Sequence, residues 1–441
     1  MKKLAWLLLS PLVASPLFAA DLVQVYRAAQ DNDPTFAAAR YGREAGQEKL
    51  PQGRAGLLPS LSLSGNTVWN ETEISAHGGP TLAKPNYNSN GYQLTLSQPL
   101  FRWQNWVGYK QSEIQVAQAE ANFAQARQDL ILRVAQAYFD VNYATESLAA
   151  VRANKLAIAQ QLESAKKNFE VGTATITDTH EAQARFDLAA AQEIAAESDL
   201  EVRRHALAAI IGKESGPLAM IGKEAPLTPP QPNNMATWVA AAEKDSLAVQ
   251  VQQANADIAA REIDKQRAGH YPTLDLVANQ GHSKSFAASY GVADTDYTTV
   301  GLQLNVPLFQ GGLVNSRQRE AAANRGAAES TLEATRRNAA LSARQSYLGV
   351  VNGLAQVQAL KAALISSQSA LESNKLGYEV GVRINIDVLN AENQVYVTRR
   401  DLAKAVLDTL MAQLRLKATV GALGDDDVTQ INALLDPSTA Q

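Results

Sequence analysis

The sequence predicts an α+β membrane protein, in which a small β-sheet is continued by very long α-helices. Three observations predict this class. The chain contains an internal repeat of about half its 441 residues. Four segments alternate apolar and polar residues, as half-buried strands do. Two helical stretches are far longer than a globular core requires.

Composition excludes several classes of function. The chain has no cysteine and only five histidines, which excludes disulfides, thiolate metal sites, cysteine nucleophiles and lipids attached through cysteine. With 40 basic and 44 acidic residues, it lacks the basic surface that nucleic-acid binding requires. We therefore predict no metal site, no cofactor and no nucleic-acid partner.

Residues 1–20 are predicted to be a secretory signal peptide. The basic Lys2 and Lys3 precede an apolar run, and cleavage is expected after Ala20. The bulky Phe18, three residues before that cut, allows a site one or two residues away. No later stretch supplies the ~20 uninterrupted apolar residues that a membrane helix needs. The mature protein is expected to leave the cytoplasm without spanning a membrane as a helix.

The rest of the chain is interpreted as two copies of one structural unit. The copies cover 21–211 and 236–421, a Pro-rich linker covers 212–235, and a tail covers 422–441. The recurring motifs are Arg54–Pro59 with Arg267–Pro272, Pro99–Phe101 with Pro307–Phe309, Glu170–Gly172 with Glu379–Gly381, and Asp178 with Asp387. Their order is the same in both copies, which indicates duplication rather than chance similarity. In the tail, the run of three aspartates at 425–427 is interpreted as a solvated turn.

Each copy repeats one order of elements: a helical stretch, two strands, a very long helix and a shorter returning helix. The predicted helices cover 22–52, 104–169 and 178–211 in the first copy, and 236–268, 312–378 and 387–420 in the second. The predicted strands cover about 59–73 and 90–101, then about 272–286 and 297–309. Alternation such as Leu61 and Leu63 against Ser62 and Ser64 gives a strand one apolar and one polar face. A helix of roughly 65 residues is on the order of 100 Å long.

Four strands cannot close a barrel or cover their own edges. Alternation with aromatic residues at strand ends, such as Trp69, Tyr92 and Phe309, favours a membrane-spanning barrel wall. The alternative is a soluble sandwich with one hydrated face. If the strands do form a barrel, several chains must share it, and three chains would supply twelve strands. The long helices, which have an alanine-rich coiled-coil seam, would extend the lumen away from the membrane.

Several motifs resemble those of the TolC-like outer-membrane efflux protein family. They are the segments 21–26, 171–178, 269–276 and 306–312. The resemblance covers essentially the whole mature chain and is to the non-lipidated TolC branch, since the acylated cysteine of the lipidated branch is absent. It implies a homotrimer with a twelve-stranded barrel in the outer membrane of a Gram-negative cell. It also implies a helical tunnel that extends into the periplasm.

The resemblance further implies a passive exit duct, not an enzyme, for multidrug efflux or type I protein secretion. An inner-membrane transporter of the RND, ABC or MFS type would recruit it through a periplasmic adaptor (membrane fusion) protein, and outer-membrane lipid would surround the barrel. Two alternatives stay open. A periplasmic coiled-coil rod or adaptor without a pore would not need the four strands. A barrel enzyme would need a Ser/His/Asp constellation, which we do not find at a convincing spacing.

The resemblance places the functional residues at the ends of the helix hairpins. Thr177, Asp178, Tyr378 and Arg383 match the positions that latch the periplasmic mouth in this family. A guanidinium fork and a phenol hydroxyl are directional donors, which suits a latch made of a few bonds between coils.

A second set of residues matches the constriction of the tunnel. Asp387 matches the constriction aspartate, and three copies would form a carboxylate ring that attracts cations. Asn390 stands where TolC-type members have a second aspartate. We therefore expect weaker cation selectivity and weaker block by multivalent cations than two charged rings would give.

The same hairpins also have a purely structural interpretation. Gly172 and Gly381 are natural helix stops, and Asp178 and Asp387 are predicted at the N-caps of the returning helices. Glu181, three residues after Asp178, would complete a capping box. We expect the capping and gating roles to coexist.

Overall fold

A computed structural model describes residues 20–75, 79, 81–83, 86–222, 226–287 and 291–436 of the chain. All of the predicted signal peptide except Ala20 lies outside the described residues. The helices are α1 (Leu22–Asn32), α2 (Pro34–Gln47), α3 (Lys49–Ala55), α4 (Trp103–Glu170), α5 (Ile176–Ile211), α6 (Met235–Asp245), α7 (Leu247–Arg267), α8 (Leu313–Glu379), α9 (Asn385–Thr419) and α10 (Asp425–Asn432), with a 3-10 turn at Ala268–His270. The strands are β1 (Ser60–Glu71), β2 (Ile74–Ser75), β3 (Thr81–Ala83), β4 (Asn86–Phe101), β5 (Met220–Ile221), β6 (Thr273–Ala287), β7 (Gly291–Asn305) and β8 (Leu435–Asp436).

The chain divides into two compact units. The sheet unit contains Arg40–Ala124 and Leu247–Arg337, and the helical unit contains Met1–Ala39, Gln125–Ser246 and Asn338–Gln441. Helices α4 and α8 contribute residues to both units.

The sheet unit is built on four long strands in the spatial order β1-β4-β6-β7, and every neighbouring pair is antiparallel. Ser60 lies opposite Ser97 in the first hairpin, and Thr273 lies opposite Asn305 in the second. Strands β4 and β6 join the two hairpins. This order leaves β1 and β7 as the two edges of the sheet.

One face of this sheet is apolar and uncovered. Leu61, Leu63, Leu302 and Leu304 lie on it, and they are between 64 and 72% exposed. A β-sandwich would bury such a face against a second layer. An apolar sheet face that stays open requires an apolar environment outside the chain.

The last strand ends earlier than the sequence predicts. We expected it to extend to residue 309, but β7 ends at Asn305. The following Leu308 and Phe309 are 92% and 88% exposed. In the described part of the chain, β6 is the only strand that pairs with β7, so nothing supports a strand beyond that point.

The first helical stretch, expected as one segment at 22–52, is three helices. Asp33 ends α1, and Pro34, which has no N–H to donate, begins α2. The Asp33 carboxylate accepts the N–H of Phe36 at 2.7 Å and an N–H of Arg133 at 2.7 Å. The break in the helix is therefore stabilised by a capping carboxylate held by a second helix.

The helical unit has its core along α4. Ile131, Ala135 and Tyr138 of the expected coiled-coil seam are at most 1% exposed, whereas Ala117 of the same expected seam is exposed. The Tyr138 hydroxyl donates a hydrogen bond to the carbonyl of Ala219 at 2.6 Å, and burial raises the pKa of this phenol. Ala219 lies in the Pro-rich segment, so part of that segment packs on the core instead of lying free.

The run of aspartates near the C-terminus is not a solvated turn, contrary to the sequence-based interpretation. It forms the first turn of α10, where carboxylates stabilise the positive end of the helix dipole. Asp425 accepts a hydrogen bond from the Tyr26 hydroxyl at 2.9 Å and also pairs with Arg127. Asp427 is only 7% exposed and pairs with Lys417. These contacts tie the C-terminal helix to α1, α4 and α9.

Helix α8 contains an 18-residue window with a mean hydropathy of 1.4, so its composition alone would allow a membrane span. This window was not expected from the sequence, in which no run of ~20 uninterrupted apolar residues follows the signal peptide. Coiled-coil helices rich in Ala, Leu and Val reach similar values, and α8 also carries the exposed ion pairs Arg325–Glu329 and Arg337–Glu333. The open apolar face of the sheet is the better candidate for contact with lipid.

Candidate channel wall and helix-tip gate

Each long helix turns back through a glycine. Gly172 has φ +78° between α4 and α5, and Gly381 has φ +77° between α8 and α9. This left-handed backbone is unfavourable for residues with a Cβ. The two hairpin turns therefore contain a glycine in the same left-handed backbone conformation at equivalent positions of the repeat.

The first tip is closed by a capping box. Thr175 is the N-cap of α5, and its hydroxyl accepts the N–H of Asp178. The Asp178 carboxylate in turn accepts the N–H and the hydroxyl of Thr175, at 2.9 and 2.8 Å. Asp178 is thus the third helical residue and not the N-cap, because the helix begins at Ile176. Glu181 lies outside the box and faces Arg185 at 4.0 Å.

The second tip has no such box. Ile384 is the N-cap of α9 and makes no side-chain cap bond, so Asp387 is not the N-cap either. The Asp387 carboxylate lies 3.6 Å from the guanidinium of Arg383. Arg383 packs over Gly377, where an added Cβ would lie 2.7 Å from its Cγ. Gly377 therefore makes room for the arginine, a role that no sequence motif indicated.

Two of the predicted latch residues, Thr177 and Asp178, lie at the start of α5, and the other two, Tyr378 and Arg383, lie at the end of α8 and in the turn to α9. The Tyr378 hydroxyl accepts a hydrogen bond from the Asn168 amide at 3.2 Å, which joins α8 to α4. Thr177 is exposed in the first turn of α5. Among the described contacts, none of the hydrogen bonds joins two of the four predicted latch residues.

Three further side-chain pairs connect the helices near the tips. Gln161 of α4 donates to Asn385 of α9. Arg185 of α5 donates to the side-chain amide oxygen (Oδ1) of Asn390 in α9 at 3.0 Å. The Asn390 side chain is therefore engaged by a neighbouring helix.

The third pair is an ion pair between α8 and α9. Lys375 lies 3.3 Å from the carboxylate of Glu392, which is only 6% exposed. A buried carboxylate without a partner is costly, so this pair fixes the relative position of the two helices. None of the three pairs was predicted from the sequence, because the only signal for each is a polar residue on a long polar helix.

The sheet forms a wall with one hydrogen-bonded polar face. Asn279 of β6 accepts hydrogen bonds from Gln93 and Thr95 of β4, both at 2.9 Å. The Tyr297 hydroxyl donates to the side-chain amide oxygen (Oε1) of Gln93 at 3.0 Å. The same hydroxyl covers Gly281, where an added Cβ would lie 2.7 Å from it. One face thus suits water and the other suits lipid, as in a membrane barrel.

An ion pair between Arg102 and Asp275 connects the start of α4 to strand β6. Arg102 donates two hydrogen bonds to the Asp275 carboxylate, at 2.8 and 2.7 Å, and Asp275 is 6% exposed. Trp103 and Trp106, just beyond it, are 41% and 45% exposed. Exposed indoles beside a sheet with an apolar face are typical of a membrane interface.

No group of three or more acidic or histidine side chains that could hold a metal ion occurs among the described residues. Within one chain, the constriction candidates Asp387 and Asn390 each lie beside an arginine, Arg383 and Arg185.

Known proteins are similar to this chain in sequence and in fold. The sequence model of the outer membrane efflux protein family matches residues 25–213 and 238–422. The outer membrane protein TolC of Vibrio cholerae is 32% identical over 98% of each chain. The protease secretion protein PrtF of Dickeya chrysanthemi is 31% identical, over 93% of this chain and 90% of its own.

Among solved structures, the outer membrane protein VceC of Vibrio cholerae superposes with a TM-score of 0.77 at 20% identity. The superposition covers 91% of this chain and 96% of that one. The fold is therefore that of a known outer-membrane protein, and the match to the family extends over both halves of the sequence. The chain belongs to the outer membrane efflux protein family.

Proposed function

We propose that this protein is an outer-membrane exit duct for efflux and type I secretion, which extends into the periplasm. The observation that carries the proposal is a sheet with one open apolar face and one hydrogen-bonded polar face, followed by helices of 68 and 67 residues. Such a sheet suits a boundary between lipid and a water-filled lumen. A coiled-coil rod has no use for it.

The duct requires more than one chain. Strands β1 and β7 are open edges, and four strands cannot close a barrel. Three copies would give a barrel of twelve strands and a tunnel of twelve long helix segments. A homotrimer is therefore the assembly that we propose.

The helix tips are the proposed gate. Tyr378 and Arg383 at one tip, with Thr177 and Asp178 at the other, are the latch, and some of their bonds would form between subunits. Asp387 would supply a ring of three carboxylates at the constriction, beside a neutral ring from Asn390. A periplasmic adaptor that binds the tips would open the latch, and an inner-membrane transporter would supply the energy.

Single-channel conductance of the purified protein in a planar bilayer tests both the duct and the gate. The comparison is between wild type and Tyr378→Phe/Arg383→Ser. A matched control, Tyr41→Phe/Arg337→Ser, makes the same changes at residues that are exposed and distant in sequence from the tips.

We expect a small wild-type conductance that rises severalfold in the tip variant and stays unchanged in the control. A large wild-type conductance that the tip variant does not change would retain the duct but contradict the latch. No conductance from correctly trimeric protein would contradict the duct and support a periplasmic rod or adaptor.

A further inference from the structure

Ala20, which precedes the first helix, is held by both of its backbone groups. Its N–H donates to the carbonyl of Pro217 at 2.9 Å, and its carbonyl accepts the N–H of Ala219 at 3.2 Å. The Tyr138 hydroxyl donates to the same carbonyl at 3.3 Å. We infer that Ala20 is the first residue of the mature protein, and that signal peptidase cuts between Ala19 and Ala20. This cut lies one residue before the one expected from the sequence.

The contacts of Ala20 are part of the folded helical unit. Ala20 and Leu218 form a parallel bridge, and Leu218 and Ala219 are only 7% and 1% exposed. A buried N–H that loses its acceptor is destabilising. A chain that began at Asp21 would lack the carbonyl that accepts the Ala219 N–H. A cut after Ala20 would therefore leave a buried donor without its partner.

The second copy of the repeat contains a residue equivalent to Ala20. Counting back from the aligned motifs Arg54–Pro59 and Arg267–Pro272 makes Ala20 equivalent to Asn233. The helices agree with this count, since α1 and α6 begin at equivalent positions and are both 11 residues long. Each of these two residues directly precedes the N-cap of its helix. The correspondence between the copies therefore extends back to Ala20.

Both copies hold this residue in the same way. Tyr138 of α4 donates its hydroxyl to the Ala20 carbonyl, and Tyr347 of α8 donates its hydroxyl to Oδ1 of Asn233 at 2.7 Å. The two tyrosines belong to the matching motifs of the long helices, each two residues after a glutamine. Asn233 lies inside the chain and is kept whatever the cut. The repeated unit thus includes the residue before the N-cap, and in the first copy that residue is Ala20.

The sequence around the bond between Ala19 and Ala20 is compatible with this cut. Signal peptidase requires a small residue directly before the cut bond and prefers another three residues before it. Ala19 is the first of these, and Leu17 stands at the second position. A cut after Ala20 would place the larger Phe18 there instead. The structurally favoured cut is therefore also the less hindered one.

The reaction is the hydrolysis of one peptide bond. The hydroxyl group of water adds to the carbonyl carbon of Ala19, which leaves as the carboxylate of the signal peptide. The nitrogen of Ala20 takes the proton and becomes the α-ammonium group of the mature chain. An ammonium is still a donor to the Pro217 carbonyl, and the hydrogen bond is then charge-assisted.

The first residue of the full protein, purified from outer membranes, is measured by N-terminal sequencing and intact mass. We expect most chains to begin Ala20-Asp21-Leu22. A majority that begins Asp21-Leu22-Val23, lighter by one alanine residue, would overturn the inference. So would a majority that begins at any residue before Ala20. Neither measurement involves conductance, so failure here would leave the proposed duct intact.

The structural role of Ala20 is tested by deleting it. The deletion leaves Ala19 as the small residue before Asp21, so the cut releases chains that begin at Asp21, which sequencing verifies. We expect hydrogen exchange at the Ala219 amide to accelerate by roughly fivefold, since this N–H loses its acceptor. An unchanged rate would overturn the role of Ala20 in the fold.

Leu17→Ala is the matched control for the deletion. It changes only the signal peptide and places a smaller residue three positions before the proposed cut. We expect its mature chain to begin at Ala20 and to exchange at the wild-type rate. A Leu17→Ala chain that began at Asp21 would contradict the cut before Ala20. The wild-type sequencing decides the first residue even if the deletion variant does not reach the membrane.

Discussion

The two helix tips have the same glycine turn but use their aspartates differently. At the first tip, the Asp178 carboxylate is occupied by the backbone and hydroxyl of Thr175. At the second tip, Ile384 stands in the place of Thr175 and offers no hydroxyl, so Asp387 is left with Arg383 at 3.6 Å. One side chain, threonine at position 175 and isoleucine at position 384, therefore decides which copy of the duplicated aspartate remains available for function.

The largest effect that this comparison predicts is on block by multivalent cations. We expect Asp387→Asn to raise the half-blocking concentration of hexaamminecobalt(III) by about tenfold, which corresponds to ~1.4 kcal/mol. The reason is the loss of a carboxylate ring with few internal partners. Asp178→Asn is the matched control and should change block by less than about twofold, since its carboxylate serves a cap. Equal effects of the two variants on bilayer block would refute the distinction.

A smaller effect is expected at the neighbouring position. Asn390→Asp adds a charge one turn from Asp387, and Arg185, 3.0 Å from Asn390, would partly neutralise it. We expect the half-blocking concentration to fall roughly threefold, less than a free carboxylate would give. Asn390→Asp combined with Arg185→Gln should block more strongly than Asn390→Asp alone. If the double variant and Asn390→Asp have the same half-blocking concentration, Arg185 does not hold the side chain at position 390.

The capping difference itself has an effect of about 1 kcal/mol. Thr175→Ala removes the hydroxyl that receives the Asp178 N–H, and loss of an N-cap typically costs ~1 kcal/mol. Hydrogen exchange in the first turn of α5 should then accelerate by roughly fivefold. Ile384→Ala removes no cap, so the first turn of α9 should exchange at an almost unchanged rate. Faster exchange at both tips would show that capping is not what separates them.

The smallest effect concerns another capping aspartate, Asp33, which is distant in sequence from the tips. Burial would raise the pKa of Asp33, but the hydrogen bonds from Arg133 and from the Phe36 N–H more than offset it and lower the pKa below its usual 3.8. Because the folded-state pKa is lowered, ionised Asp33 stabilises the folded protein at pH values above the unfolded-state pKa of 3.8. This stabilisation is lost as the pH falls from 3.8 through the lower folded-state pKa.

Thermal unfolding measured between pH 7 and pH 3 checks the direction in which the contribution of Asp33 to stability changes with pH. Wild type should lose stability over the acid end of this range more steeply than Asp33→Asn, which has no proton to gain at this position. Glu48→Gln changes an exposed carboxylate that makes no cap bond and serves as control. Parallel curves for Asp33→Asn and wild type would contradict the role assigned to Asp33.

Much of the architecture follows from the sequence pattern. Alternation located the four long strands, and the apolar seam located the long helices, because periods of two and of 3.6 residues are distinct over long segments. The predicted membership in the TolC-like family and the outer-membrane location are confirmed by the comparisons. The early end of β7 at Asn305 was not predictable from the sequence pattern. Strand β7 ends there because its partner β6 begins at Thr273, which lies opposite Asn305.

The side-chain partners at the tips were beyond sequence reasoning. Asn168 and Tyr378 are 210 positions apart, and each residue of uncertainty in helix phase turns a side chain by ~100°. Asp178 was misplaced at the N-cap because an aspartate followed by Glu181 three residues later matches a capping-box pattern. The observed capping box begins three residues earlier, at Thr175. The hydrogen bonds of the capping box therefore set where α5 begins, and the rotation of each helix about its axis in the packed structure sets which side chains meet.

The open edges of the sheet also have a kinetic consequence for the cell. A chain that has folded its helices but has not met two others presents unpaired backbone along β1 and β7, together with Leu308 and Phe309 in solvent. Such edges recruit any available strand, so productive trimerisation competes with aggregation. Because assembly depends on encounter while degradation of single chains does not, the yield of channels should rise more steeply than expression. The rate of delivery to the membrane would then set how many chains become pores.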